Sequence, residues 1–299
     1  MSGVAERREP GGFGDLFRAW GTGEAKRLPV WRTFGMQAGE VDDDGATIRL
    51  PIEPFLLDRA GRLPAGVLAV LADSAVGCSL AVQMERGDFA RPSVTVTLTV
   101  EPTVPELPTS GHLACTGRLI SRNDPHVLMA ATVRDGRDRE VAGVRAWFSL
   151  LPMQVSPEIS WEDPDAGYAP DPGPLDGPDA GFGAIGRHLG LIRTDGGALR
   201  LRSRPGMCNR LGTLHGGVGA LLADLAAGAA IGGDHYQPLT TTYSYLRTTG
   251  QVGQLVDVEA EVVKPGRAIA MAESRVLTPD GRVALHAVVN ADVAPPPGG

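Results

Sequence analysis

An internal repeat constrains this chain more than any other feature of its sequence. The segment Gly61–Gly77 aligns with Gly212–Gly228 at a constant offset of 151 residues, and ten of the 17 aligned positions are identical. Solenoid repeats recur about every 20–50 residues. A period of 151 residues therefore predicts two duplicated domains on one polypeptide.

The two copies are separated by a segment of unusual composition. Six of the 23 residues of Ser156–Pro178 are proline and six are acidic. Such a composition buries too little apolar surface to fold and is typical of a linker. We therefore expect a first domain over residues 13–153, a linker over 154–180 and a second domain over 181–294.

Each copy shows the same order of predicted elements. A strand pair (Thr33–Val41 and Thr47–Ile52 in the first copy) precedes a long apolar helix, predicted over Ala65–Val82 and Gly216–Ile231. Four strands follow, of which Ser93–Val100 alternates with strict period two. Because each helix is apolar on nearly all sides, it should be buried. We expect an α+β fold of two hotdog units, each a curled antiparallel sheet wrapped around a central helix. The glycines of the helix would let the sheet approach it closely.

Composition excludes several classes of function. The net charge of -7 disfavours nucleic-acid binding, which usually needs a basic face. Three distant cysteines without a CxxC motif indicate no disulfide framework, no metal site and a reducing cytoplasm. We expect no membrane span, because we find no stretch of about 18 uncharged apolar residues. No cofactor is predicted.

In the second copy, Asn209 is followed six residues later by His215-Gly216-Gly217, and Asp224 comes nine residues after the histidine. In this spacing the second copy resembles the PaaI-type hotdog thioesterases, which hydrolyse acyl-CoA. The strand after the helix ends in Tyr245-Leu246-Arg247, which is also similar to the family. The resemblance covers residues 186–293 strongly and 30–150 more weakly.

The residues of this motif have a chemistry of their own. The first N–H groups of a helix have no internal partner, and the helix dipole adds a partial positive charge. Gly216 and Gly217 would therefore begin an oxyanion site, to which Asn209 could add a side-chain N–H. Burial would raise the pKa of Asp224 towards that of a general base. A structural alternative stays open, with His215 as a helix cap and Asp224 as a structural carboxylate.

The first copy departs from the motif. At the equivalent positions Asp58 replaces the asparagine, Pro64 the histidine and Ala65 the first glycine, whereas Gly66 and Asp73 are kept. Proline is compatible with a helix start, but it offers no polar group. The negative charge of Asp58 would also oppose a developing oxyanion. The first copy is therefore predicted to activate a carbonyl poorly.

The resemblance implies that two copies form each site. In the family's dimers the oxyanion side of one subunit faces the carboxylate of the other. One composite site would then combine Asn209, His215 and Gly216 with Asp73, and a degraded one would contain Asp224.

The family also places a hydroxyl on the following strand and cations near the CoA. Ser93 or Thr95 would hold a water for Asp73, and Thr240 would do so for Asp224. Arg247 would contact the CoA phosphate. We count His215, Gly217, Ser93, Thr240 and Arg247 as predicted substrate-binding residues.

The predicted activity is hydrolysis of an acyl-CoA or, as a weaker alternative, of an acyl-carrier-protein thioester. Asp73 would act as general base or as nucleophile. A non-catalytic acyl-CoA-binding module is the alternative from another class, and a hotdog dehydratase is weaker still. We expect the copies to pair edge to edge within one chain, as a pseudo-dimer that could pair again.

Overall fold

The structure, a computed structural model, describes residues 13–84, 92–152, 165, 170–232 and 236–293. The helices of these residues are α1 (Phe13–Thr22), α2 (Pro29–Phe34), α3 (Gly66–Met84), α4 (Gly183–Leu189) and α5 (Gly216–Ile231). The strands are β1 (Gln37–Val41), β2 (Ala46–Pro51), β3 (Ser93–Pro102), β4 (His112–Asn123), β5 (His126–Asp135), β6 (Glu140–Leu150), β7 (Ile192–Arg193), β8 (Leu199–Arg202), β9 (Tyr236–Tyr245), β10 (Leu255–Lys264), β11 (Ile269–Leu277) and β12 (Val283–Val293).

All twelve strands belong to one antiparallel sheet in the order β1-β2-β4-β5-β6-β3-β9-β12-β11-β10-β8-β7. The first six strands of this order come from the first copy of the repeat and the last six from the second. The copies meet where β3 pairs with β9, in a register that sets Thr97 opposite Ser244 and Val100 opposite Thr241. They are therefore joined edge to edge within one chain.

Helices α3 and α5 lie against the sheet and against each other. A Cβ atom added to Gly66 would lie 2.7 Å from the Cα of Leu221, and one added to Gly217 would lie 2.6 Å from the Cα of Val70. Both distances are too short for a real contact. These two glycines are required because the helices cross, whereas we had expected the sheet to be the close neighbour.

The described residues correct one expectation, bear on a second and leave a third aside. Thr33 and Phe34 lie in α2, so the predicted strand Thr33–Val41 is wrong at its start. Helix α3 is long and apolar enough to cross a membrane by length and composition, but it contains Asp73 and 83% of its apolar window is buried in the fold. Most of the predicted linker 154–180 lies outside the described residues.

Candidate functional site

Helix α5 begins beside a carboxylate of the other half of the chain. The N–H of Gly217 donates a hydrogen bond of 2.8 Å to Oδ2 of Asp73, which lies in α3. The hydroxyl of Thr95, in β3, donates to Oδ1 of the same carboxylate at 2.9 Å. Asp73 is thereby fixed at the crossing of the two helices, with both oxygens hydrogen-bonded.

His215 caps the start of α5. Its Nδ1 accepts a hydrogen bond of 3.1 Å from the N–H of Gly217 and lies 3.4 Å from Oδ2 of Asp73. Burial lowers the pKa of His215, although the charge of Asp73 opposes this shift. The ring is therefore neutral, with Nδ1 as an acceptor, and its approach to Asp73 is not an ion pair.

Gly216 is the first residue of α5 and stands at the centre of this group. A Cβ atom added there would lie 2.8 Å from Oδ2 of Asp73 and 3.2 Å from Cε1 of Tyr245. Any side chain would therefore displace the carboxylate or the ring. As the first helical amide, the N–H of Gly216 has no acceptor within the helix, so a ligand oxygen can use it.

The equivalent carboxylate of the second copy has different neighbours. Oδ2 of Asp224 accepts a hydrogen bond of 2.8 Å from the N–H of Gly66, and Oδ1 accepts one of 2.6 Å from the hydroxyl of Tyr236. Burial raises the pKa of Asp224 to about 6, against the opposing effect of these two hydrogen bonds. Asp224 is 1% exposed and Asp73 is 8% exposed, so both carboxylates are buried and Asp224 is the less accessible of the two.

Asn209 and Asp58 shape the loops that lead into the two helices. Oδ1 of Asn209 accepts hydrogen bonds from the N–H of Leu211 and from both the N–H and the hydroxyl of Thr213. Asp58 accepts in the same way from Ala60 and Arg62, and the Arg62 guanidinium also binds it. Asp58 is therefore ion-paired with Arg62, and its predicted repulsion of an oxyanion stays a prediction. The predicted contact of Asn209 with a substrate oxygen stays a prediction.

The hydroxyl partners of the carboxylates differ from part of the prediction. Of the two candidates for Asp73, Thr95 makes the hydrogen bond, whereas Ser93 pairs through its backbone with Leu150. Thr240 lies opposite Asn290 in the sheet, and the partner of Asp224 is Tyr236. Sequence reasoning missed this tyrosine because it sought a small hydroxyl residue.

Two further groups bear on the chemistry. Arg247 is exposed just beyond β9, where its predicted contact with a CoA phosphate stays a prediction. The three cysteines are buried, and burial raises the pKa of Cys208 to about 11 and of Cys115 to about 12. Such thiols stay protonated at neutral pH and are poor nucleophiles.

Comparison with solved structures agrees with this architecture. A candidate thioesterase from Novosphingobium aromaticivorans superposes with a TM-score of 0.59 at 16% identity, over 86% of this chain and 98% of that one. The TesB protein of Mycobacterium avium subspecies paratuberculosis gives 0.58 at 12% identity, over 89% and 98% of the two chains. The chain has the hotdog fold.

A third structure extends the comparison to a protein described by its substrate class. Acyl-CoA thioesterase II of Mycobacterium marinum superposes with a TM-score of 0.54 at 11% identity, over 90% of this chain and all of that one. No family model and no curated protein matches the chain. At these identities the likeness establishes the fold, and the chemistry has to be argued from the site.

Proposed function

We propose that this chain hydrolyses acyl-CoA thioesters at the Asp73 site. The observation that carries the proposal is the hydrogen bond of 2.8 Å between Asp73 of one half and the N–H of Gly217, at the start of the helix of the other half. It sets a carboxylate beside a helix N-terminus, so that a base and an oxyanion site adjoin each other. Both are groups that thioester hydrolysis needs.

The proposed reaction follows from these two groups. The thioester oxygen binds at the N–H of Gly216, where the helix dipole stabilises the negative charge that develops on it. Asp73 takes a proton from a water that attacks the carbonyl carbon, and Thr95 holds the carboxylate in place. Collapse of the tetrahedral intermediate breaks the C–S bond, and protonation of the thiolate gives a carboxylic acid and free CoA. Direct attack by Asp73, through an anhydride that water opens, uses the same geometry.

The likeness to an acyl-CoA thioesterase supports CoA as the carrier. An acyl-ACP thioesterase from Bacteroides thetaiotaomicron also superposes, with a TM-score of 0.50 at 14% identity. Exposed Arg247, at the end of the strand that carries Tyr245, is our candidate for the CoA phosphate. Charge reversal in Arg247→Glu should raise KM for acyl-CoA more than for acyl-carrier protein, if the arginine binds the nucleotide part of CoA.

The test of the proposal is thiol release from short, medium and aromatic acyl-CoAs. We expect Asp73→Asn to lower kcat by about 10³-fold, the scale of a lost general base. Asp224→Asn is the matched control, because it changes the equivalent residue of the repeat and should keep most of the activity. Turnover that survives Asp73→Asn and disappears in Asp224→Asn would reverse the assignment of the two sites.

A non-catalytic acyl-CoA-binding module is the second candidate. It is favoured by the hydrogen bonding of Asp73, because both of its oxygens already have donors, as those of a purely structural carboxylate would. Calorimetric binding of acyl-CoA without release of thiol at high protein concentration would select this function over hydrolysis.

A further inference from the structure

Tyr245, the last residue of β9, lies beside the start of α5. Its Cε1 atom is 3.2 Å from the point where a Cβ atom of Gly216 would stand, and Oδ2 of Asp73 is 2.8 Å from the same point. The aromatic ring and the carboxylate thus both lie against the first residue of α5. The N–H of this residue is the group at which the proposed function sets the thioester oxygen.

The hydroxyl of Tyr245 is buried and has no hydrogen-bond partner among the described residues. A buried hydroxyl without a partner costs about 1–3 kcal/mol, and such groups in native proteins call for a functional explanation or a bound molecule. Tyr236, on the same strand, shows the usual arrangement, because its hydroxyl donates to Asp224 at 2.6 Å. The hydroxyl of Tyr245 can therefore donate to a ligand, whereas that of Tyr236 already donates to Asp224.

We propose that the hydroxyl of Tyr245 donates a hydrogen bond to the carbonyl oxygen of the bound thioester, beside the N–H of Gly216. This assignment rests on the proposed function and adds a catalytic residue to it. As the carbonyl becomes an oxyanion, a donor already held near it binds more strongly, which lowers the barrier. No proton needs to leave the phenol, so the donor is unchanged after each turnover.

The protonation state of Tyr245 suits a donor. Burial, and then the neighbouring charge of Asp73, raise the pKa of the phenol above its usual value. Tyr245 therefore keeps its proton throughout the neutral range and cannot act there as a base or a nucleophile. The role of base is left to Asp73.

Tyr245→Phe tests the proposal, because it removes the hydroxyl and keeps the ring. We expect kcat to fall by about 10²-fold, the scale of one lost oxyanion donor, with a smaller change in KM. The melting temperature should not fall, because no hydrogen bond within the protein is lost. Tyr236→Phe is the matched control and should do the reverse, lowering the melting temperature while keeping kcat.

A binding measurement separates this proposal from the proposed hydrolysis. The probes are the ketone analogues of acetyl-, hexanoyl- and phenylacetyl-CoA, in which CH₂ replaces the thioester sulfur. We expect Tyr245→Phe to weaken calorimetric binding of the best probe about 10-fold, the scale of one hydrogen bond. If no thioester is turned over but this loss is seen, hydrolysis fails and Tyr245 remains a carbonyl donor.

Other outcomes overturn the role of Tyr245. Unchanged kcat and unchanged probe affinity in Tyr245→Phe would leave hydrolysis intact and remove the tyrosine from the site. A fall in kcat accompanied by a loss of melting temperature as large as that of Tyr236→Phe would indicate a structural role. Absence of both turnover and probe binding in the unsubstituted chain would overturn both proposals.

Discussion

Asp73 and Asp224 occupy the same position of the repeat but lie in different surroundings. Each accepts a hydrogen bond of 2.8 Å from a backbone N–H of the other half. The second oxygen of Asp73 accepts from Thr95, and the hydroxyl of nearby Tyr245 has no partner among the described residues. The second oxygen of Asp224 instead accepts from the hydroxyl of Tyr236. The duplication thus kept the bond that joins the halves, and the neighbours of that bond diverged.

The residues of the motif have two roles, one in the packing of the helices and one in the proposed chemistry. The bond between carboxylate and helix amide occurs in both halves, so it serves the fold wherever the helices cross. What is particular to the Asp73 site is a glycine at position 216, where the first copy has Ala65, and a histidine at 215, where it has Pro64. The chemistry that is particular to the Asp73 site is therefore expected to depend on the residues that differ, and the crossing of the helices on those that are shared.

The largest expected effect concerns the shared glycines. In Gly66→Ala and Gly217→Ala the new methyl group would lie 2.7 Å and 2.6 Å from a backbone Cα of the opposite helix. A backbone atom cannot move aside as a side chain can, so the helices must separate. We expect each substitution to lower the free energy of unfolding by about 3 kcal/mol or more, as measured by urea denaturation. A small loss in either variant would show that the crossing is looser than described.

The next effect is a pH dependence particular to Asp224. Burial raises the pKa of its carboxyl to about 6 in the folded chain, against about 3.9 when unfolded. The folded state therefore binds this proton more tightly. The resulting stability is complete below about pH 4 and is lost as the pH rises through about 6, amounting to about 3 kcal/mol. Urea unfolding at pH 4 and pH 7 measures the change.

Asp224→Asn is the control for this pH dependence. Asp135 and Asp165 have the opposite effect on stability. Their hydrogen bonds and ion pairs lower the pKa of both carboxyls, against the effect of burial, so they stabilise the fold less as the pH falls. The difference between the unsubstituted chain and Asp224→Asn cancels their contribution. An equal change in stability between pH 4 and pH 7 in both proteins would contradict the prediction.

A third effect follows from the position at which the copies differ. Gly216→Ala gives the second copy the residue of the first, and its methyl group would lie 2.8 Å from Oδ2 of Asp73. A displaced carboxylate and a blocked approach to the helix start should lower kcat by about 10²-fold. Folding should be largely preserved, because the nearest atoms to the new methyl group belong to side chains and not to the backbone of α3. Full activity in Gly216→Ala would mean that the thioester oxygen does not bind at this helix start.

Much of the fold could be predicted from the sequence, because the repeat and the strand alternation extend over long segments. Helix α1 was missed, although Phe13, Leu16, Phe17 and Trp20 follow the helical spacing that would have revealed it. Helix α2 was assigned in part to a strand, because the six residues that begin at Pro29 are too few to show a helical period.

The site was harder to predict than the fold. In each copy the carboxylate follows the start of its helix at the fixed spacing of the motif, so the positions of both could be inferred from the sequence. Ser93 and Thr95 point to the same face of a strand, and only the register of β3 decides which of them reaches Asp73. Tyr236 and Tyr245 lie on a strand after the helix, and nothing in their spacing tells which carboxylate each one approaches.

The smallest expected effect uses one more pair of equivalent positions, Gly77 in α3 and Gly228 in α5. A Cβ atom at Gly77 meets nothing within 4 Å, whereas one at Gly228 would lie 2.9 Å from the ring of Tyr236. Gly77→Ala should therefore raise the free energy of unfolding by about 0.5–1 kcal/mol, the usual gain of alanine over glycine within a helix. Gly228→Ala should lower it by about 1–3 kcal/mol, because the ring it displaces holds the hydrogen bond to Asp224. Equal effects of the two substitutions on the free energy of unfolding in urea would contradict this prediction. They would show that the ring of Tyr236 can move aside and does not tightly pack the Asp224 site.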